Sequence, residues 1–260
     1  MFKDKTVLIT GSTSGIGLAI AHLFAAQNAN IILNGIESLI EINPILEVLS
    51  RKTQGQVIYE SVNVSKPDEI EEMMARVCDK FGVVDVLINN ACVQHVSPIE
   101  SFSIEKWDLI ISLGLSSAFH TIRLALPGMR SKGWGRIINI ASVHGLVGSA
   151  EKSAYVAAKH GMVGLTKVVA LETAQESITC NAICPGWVLT PLVQKQIDQR
   201  ATAKGISAKE AEHDLLLEKQ PSLSFAKPED LAALALFLCK DDAAQMTGGA
   251  ITMDGGWISR

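Results

Sequence analysis

"TGSTSGIG", Thr10–Gly17, decides the fold of this chain. It follows directly on the β-branched run "KTVLIT" (5–10) and passes without a break into an amphipathic stretch (15–27). A strand that turns straight into a helix through three glycines leaves free backbone N–H groups at the helix start, where they attract phosphate. Gly11 permits the tight turn, Gly15 lets backbone approach a pyrophosphate closely, and Gly17 lets the helix pack close on the strand. A glycine triplet alone would mean little. The strand–loop–helix setting makes it a nucleotide-binding loop.

The same alternation runs outward along the chain. Further strand-like runs are "NIILNG" (30–35), "QVIYES" (56–61), "VVDVLINN" (83–90), "GRIINIAS" (135–142), "ITCNAI" (178–183) and "GAITMD" (249–254). They are nearly continuous apolar runs, as expected of strands covered on both faces. Helical patterns lie between them at 41–53, 67–81, 104–131, 151–175 and 228–239. Such strand–helix repetition predicts right-handed crossovers and an α/β, doubly wound parallel sheet of the Rossmann type. No Pro/Gly/Ser-rich linker interrupts it, so a single domain over 1–260 is expected. The exception is 191–226, a helical stretch long enough to be a lid.

The 48% apolar and 19% charged composition is that of a globular chain, and the net charge of −4 with no basic stripe excludes a nucleic-acid surface. Runs such as "TVLIT" fall far short of the roughly 20 residues that span a bilayer, and the N-terminal start does not read as a signal peptide, so no membrane partner is expected. Five cysteines (Cys78, Cys92, Cys180, Cys184, Cys239) lack CxxC spacing and read as free thiols, which fits a reducing cytoplasm. The six histidines show no H-x-x-x-H spacing, and no metal is expected.

"SAYVAAKHG" (153–161) carries the chemistry. Among alanines that suit close packing, it places a phenol, Tyr155, and an amine, Lys159, one helical turn apart on one face. A tyrosine with a pKa near 10 is too weak a base for neutral water, and a neighbouring cation favours its phenolate. A phenol so tuned can exchange a proton with an alcohol that loses a hydride.

The spacing TGxxxGxG, with "NNA" (89–91), "YVAAK" (155–159) and "PGWVLT" (185–190) in that order, resembles the short-chain dehydrogenase/reductase family essentially end to end. The resemblance implies that Tyr155 exchanges the proton, Lys159 tunes it and bonds the nicotinamide ribose, and Ser142 holds the substrate oxygen. It places the dinucleotide along Gly11, Thr13, Ser14, Gly15 and Ile16, then Gly35 and Ile36, Asn63 and Val64, Asn90, Ala91 and Leu113, Tyr155 and Lys159, and Pro185, Gly186, Val188 and Thr190. The chain departs from the family pattern at three points. Gly114 stands where relatives carry a helix asparagine whose carbonyl holds a water linked to the lysine, which predicts a weakened but intact relay. Cys92 replaces the glycine of "NNAG" and is expected to pack near the nicotinamide ribose. Asn63 replaces an acid, with an amide oxygen able to accept the adenine amino group.

NAD is the expected cofactor. NADP enzymes of the family offer Arg or Lys to the 2′-phosphate, and neither Ser12–Ser14 nor "NGIESL" (34–39) supplies one. The acid that NAD-dependent relatives place at the strand end is also missing, with Gly35 there, so ribose contacts are expected from backbone at Gly35 and Ile36.

Gln94, His95, His144 and Lys152 all fall at the carboxyl end of the sheet, where ligands of such folds bind. A cation with amide and imidazole donors suits a small carboxylate. The strings "NNACVQHV", "INIASVHGLV", "EKSAYVAAKHG", "AICPGWVLTPLVQKQI" and "EKQPS" resemble the branch of the family that interconverts (R)-3-hydroxybutyrate and acetoacetate. That resemblance implies a carboxylate clamp of Gln94, His144, Lys152 and Gln196, a pocket shaped by Trp187 and Trp257, and a lid that brings Gln196 onto substrate. Rival readings are a 3-oxoacyl thioester reductase, which would prefer NADPH, and a non-catalytic dinucleotide-binding regulator. Relatives are commonly tetramers, and the alanine- and glycine-rich face around "AAKHGMVG" (157–164) permits tight helix association between subunits.

Overall fold

The seven β-branched runs form seven strands in one fully parallel sheet: β1 Thr6–Ile9, β2 Asn30–Gly35, β3 Val57–Ser61, β4 Val86–Asn89, β5 Gly135–Ile140, β6 Ile178–Pro185 and β7 Ala250–Met253. This is a computed structural model, and it describes residues 2–259. The strand order is β3-β2-β1-β4-β5-β6-β7. The chain therefore winds outward from β1 in one direction and, after crossing back, from β4 in the other. Thr6 pairs with Asn30 on one side of β1 and Val7 with Val86 on the other. The crevice that opens beyond the carboxyl ends of β1 and β4 is the switch point, where ligands of such sheets bind.

Helices cover both faces, which is why the strands carry no polar alternation. On one face α1 (Gly15–Ala25), α2 (Leu39–Ser50) and α9 (Pro228–Leu238) bury Ile20, Phe24, Leu49 and Leu231 against β1, β2 and β5. On the other, α3 (Pro67–Phe81) buries Ile70, Met73 and Val77 beside Leu8, Ile32 and Leu87. Here α4 (Ile104–Ile111) continues through a π-helical turn (Ser112–Ser116) into α5 (Ser117–Lys132), and α6 (Ser153–Glu172) lies beside them. The span 104–132 is long and apolar enough to cross a bilayer by length and composition, contrary to the run lengths read from sequence. Its apolar face is used inside the domain, with Ile110, Ala118, Ile122, Ala125 and Met129 buried.

Residues 191–226 form a helical hairpin, α7 (Pro191–Lys204) and α8 (Ala208–Lys219), followed by an irregular strap. Thr190 caps α7 and Ser207 caps α8 in a capping box with Glu210. Val193, Ile197, Ala211 and Leu215 close a small apolar cluster of their own, with Trp187 and Phe225 against it.

On the small-residue face of α6, Ala157 and Gly164 are exposed, and Gly161 is partly covered. A Cβ at Gly161 would stand 2.6 Å from Leu115 of the same chain, so the room this glycine provides is filled from within. The exposed large apolar side chains of these helices are Ile104, Trp107 and Leu109 on α4, Phe119 on α5, and Val168 and Leu171 on α6.

Candidate active site

The glycine loop is shaped by two asparagines. Buried Asn34 accepts the Gly11 N–H through Oδ1 (3.3 Å) and donates Nδ2 to the carbonyls of Glu60 and Val62 (3.1 and 2.9 Å). Asn90 donates Nδ2 to the carbonyls of Thr10 and Gly11 (3.0 and 2.7 Å), while Thr10 Oγ1 accepts the N–H groups of Asn90 and Ala91. The Asn90 amide is thus occupied with the loop itself. Gly11 takes φ +59°, and a Cβ there would lie 2.9 Å from the Ala91 Cα; one at Gly17 would lie 2.7 Å from Asn90 Nδ2. This is the cradle a dinucleotide requires, with carbonyls turned inward and the start of α1 turned to the cavity.

That cavity has a volume near 490 Å³ and runs from the loop to the lid. The residues that the resemblance assigns to cofactor and substrate all line it, Gly11 and Asn63 as well as Lys152, Gln196 and Trp257. His95 does not. It follows Gln94 in sequence, but its ring packs edge-on to Phe102 (centroids 5.3 Å). Asn63 Oδ1 accepts the Ser65 N–H (3.1 Å), which leaves one lone pair for the adenine amino group.

Glu37 was missed. Its carboxylate turns back over Gly35, accepting from Thr13 Oγ1 (2.7 Å) and the Ile36 N–H (3.0 Å), with Tyr59 Oη at 3.5 Å. A Cβ at residue 35 would stand 2.6 Å from Thr13 Cγ2 and closer still to Glu37 Oε2, so a side chain at the strand end is excluded by the carboxylate that takes its place. The acid absent at position 35 is present two residues on. The sequence signal was the turn after β2, which can return a side chain to where the strand ends.

At the chemical end, Ser142 caps a short 3₁₀ turn (Val143–Gly145), its Oγ accepting the His144 N–H (3.2 Å). Its hydroxyl also stands 3.4 Å from His144 Nδ1 and draws the Tyr155 pKa down. Lys159, 2% exposed, donates to the Ile140 carbonyl at the end of β5 (2.7 Å) and stands 5.6 Å from the Tyr155 ring centroid. The amine and phenol share one side of α6. The balance of effects on the phenol differs from the sequence argument, however. Burial raises its pKa first, the charges of Cys92 and Cys184 add to that, and the Ser142 hydrogen bond opposes them. One Lys159 N–H is taken by the Ile140 carbonyl, leaving two for a ligand, and burial prevails in the protein alone, holding Tyr155 as a neutral phenol.

Gly114 lies in the π turn, and a Cβ there would meet Cys92 Sγ at 3.0 Å and Ala158 Cβ at 3.2 Å. The chain's departures at 92 and 114 are therefore neighbours, and the thiol borders the room an asparagine would need. Gly114→Asn alone is expected to lower both turnover and melting temperature, the overpacking costing about 1–3 kcal/mol. Cys92→Ala in the same chain is expected to restore much of both, and thermal melts with NADH-linked assays of the three variants check this.

The substrate end is an aromatic wall. Tyr155, His144, Trp257 and Trp187 follow one another with centroid separations of 5.9, 5.3 and 5.7 Å. Lys152 Nζ lies 5.2 Å from the Trp187 ring. Burial lowers the Lys152 pKa, with the Lys219 charge adding, and no carboxylate pairs with it among the described residues. His144 is pushed down to about 4 by burial and then by Lys152 and Lys219, so it is neutral near pH 7. The His144 Nε2 and Trp187 Nε1 atoms are buried without a hydrogen-bond partner among the described residues. Buried polar groups are rarely left so, and these two point to a polar guest.

Comparison with known proteins agrees with this geometry. The short chain dehydrogenase family profile matches residues 5–201. The chain is 56% identical over 261 residues to a D-beta-hydroxybutyrate dehydrogenase of Cupriavidus necator, covering 100% of both. It is 54% identical to a D-beta-hydroxybutyrate dehydrogenase of Rhizobium meliloti, covering 98% of this chain and 99% of that one. The crystal structure of L-sorbose reductase from Gluconobacter frateurii, complexed with NADPH and L-sorbose, superposes with a TM-score of 0.94 at 32% identity, covering 100% and 98% of the two chains. With the family profile over residues 5–201 and two relatives above 50% identity along the whole length, the chain belongs to the short-chain dehydrogenase family.

Proposed function

We propose that this protein oxidises (R)-3-hydroxybutyrate to acetoacetate, reversibly, with NAD as cofactor. The observation that carries the substrate is Lys152: a half-buried ammonium without an acid partner among the described residues, on the wall that also holds Ser142 and Tyr155. An unpaired cation at such a site is stabilised by a substrate carboxylate. Gln94, Gln196 and the free Nε2 of His144 supply neutral donors beside it, and Trp187 and Trp257 bound the short carbon chain.

The residues divide the work as follows. Ser142 Oγ hydrogen-bonds the substrate oxygen and the phenol together. In oxidation the hydroxyl proton passes to the Tyr155 oxygen as the C3 hydrogen leaves with its electron pair; in reduction the phenol returns that proton. Lys159 holds the nicotinamide ribose from the floor of the cavity. When bound, the nicotinamide supplies hydride acceptance and donation, with orientation and charge coming from the protein. The lid hairpin closes on the substrate end and excludes water.

Glu37 supports NAD over NADP. Its carboxylate sits beside Gly35 and Thr13, where the adenosine ribose is expected, and a 2′-phosphate would meet like charge. Glu37→Gln is expected to tighten NADPH binding roughly tenfold while changing NADH binding little. Fluorescence titration of both cofactors reads this, and unchanged NADPH affinity would place the selection elsewhere.

A homotetramer in the cytoplasm is part of the same reading, supported by the exposed apolar side chains of α4, α5 and α6 and by five free thiols. Analytical ultracentrifugation measures the assembly. Loss of absorbance at 340 nm with purified protein, NADH and acetoacetate tests the activity. Faster reduction of a 3-oxoacyl thioester with NADPH would favour the thioester reductase, and no oxidation of NADH or NADPH with either substrate would favour a non-catalytic role.

A further inference from the structure

Gln220 is 1% exposed, directly after the last turn of α8, at a position where apolar packing would favour Leu or Met. Both ends of its amide are used. Oε1 accepts the Trp187 N–H (2.8 Å), and Nε2 donates to the Ser224 carbonyl. The Trp187 carbonyl in turn accepts the Ala226 N–H (3.0 Å), and Leu189 N–H donates back to the Ala226 carbonyl (3.1 Å). The strap 220–226 therefore grips the Trp187 peptide at both its N–H and its C=O. It also grips the loop carrying Trp257: Ser222 N–H donates to the Gly255 carbonyl (3.0 Å). The fit is close. A Cβ at Gly186 would stand 2.6 Å from Gln220 Oε1, and one at Gly255 would stand 2.8 Å from Gln220 Cγ.

We propose that Gln220 is a positioning residue for substrate selection, fixing the Trp187 peptide from the end of the lid so that the seating of α7 and α8 sets the Trp187–Trp257 wall. This rests on the assignment of that wall to the substrate pocket. A glutamine that merely ended α8 would need neither bond to Trp187 nor contact with the loop before Trp257. Its loss would weaken cofactor and substrate binding alike, because the hairpin would loosen as a whole. A residue that positions the wall acts mainly on substrate, reaching the cofactor only through Gly186 beside Trp187, and leaves the Gly11–Gly17 loop untouched.

Full-length Gln220→Met, which keeps volume and loses both hydrogen bonds, and Gln220→Glu, which keeps an acceptor for Trp187, separate the two roles. With NADH and acetoacetate, Gln220→Met is expected to raise KM for acetoacetate about tenfold, as a buried N–H loses its acceptor. Its kcat and its NADH Kd should stay near wild type, and Gln220→Glu should raise KM less. An unchanged KM, or KM and NADH Kd rising together in both variants, overturns the proposal. If the wild-type protein fails to reduce acetoacetate, the substrate reading fails by itself. Gln220 is then read from tryptophan emission without ligand: Gln220→Met must change the component that Trp187→Phe removes, and identical emission overturns the proposal.

Discussion

Tyr155→Phe is expected to lower kcat roughly a thousandfold in both directions, within the range a positioned acid–base group contributes. The NADH dissociation constant should hardly move. The substitution removes one oxygen from a ring that packs beside His144, so the wall keeps its shape and only the proton carrier is lost. The direction of the Tyr155 shift also fixes a pH dependence. Burial raises the phenol, so it holds its proton through neutrality and is ready to donate in acetoacetate reduction. Oxidation needs the deprotonated form, and its kcat/KM should climb as pH rises, while reduction should fall at the alkaline end. Steady-state profiles in each direction measure this. A variant keeping a tenth of wild-type turnover would transfer the proton role to another group.

Lys152→Ala is expected to raise KM for acetoacetate roughly a hundredfold, the cost of leaving a desolvated carboxylate without its charged donor. NADH binding should be unchanged, because Lys152 Nζ stands over the Trp187 ring, on the wall assigned to substrate. The sign of its pKa shift adds a check. Burial and Lys219 move Lys152 below the ordinary lysine value of 10.5, so the ammonium is lost earlier than usual as pH rises. Carboxylate affinity should therefore weaken in the alkaline range for wild type, and the alanine variant should lack that limb. Equal losses for acetoacetate and NADH would show a collapsed cavity in place of a missing clamp.

Much of this was legible in the sequence because it rests on local chemistry. The strands β1 to β7 are β-branched runs that helices cover on both faces, and a run of that kind has few other ways to be buried. Tyr155 and Lys159 are four residues apart, and helical geometry alone sets them on one side. What stayed hidden depends on where a side chain turns. Glu37 lies outside its strand, and only the path of the following turn returns its carboxylate to Thr13. His95 adjoins Gln94 but packs on Phe102, since consecutive residues of an irregular segment have no fixed common direction. Gly161 and Gly164 read alike in sequence, yet Leu115 fills the space at the first while the second stays open. The state of the Tyr155 phenol needed three dimensions as well, because the depth of burial decides whether a nearby amine prevails. Gln220 sits in the string "EKQPS", whose resemblance carried no role for it, and its bond to Trp187 spans 33 positions of sequence.

The apolar cluster that α7 and α8 close between themselves has a kinetic consequence. A pair of helices with an interior of its own can swing away as one piece, leaving the seven-stranded sheet and its packing intact. If the hairpin is the lid proposed above, the barrier to releasing product lies at the seam of Trp187, Phe225 and the strap, and its amide protons are expected to exchange with solvent before those of β4 or β5. Throughput and global stability would thus be governed by different residues, so the enzyme could be made faster or slower without being made less durable.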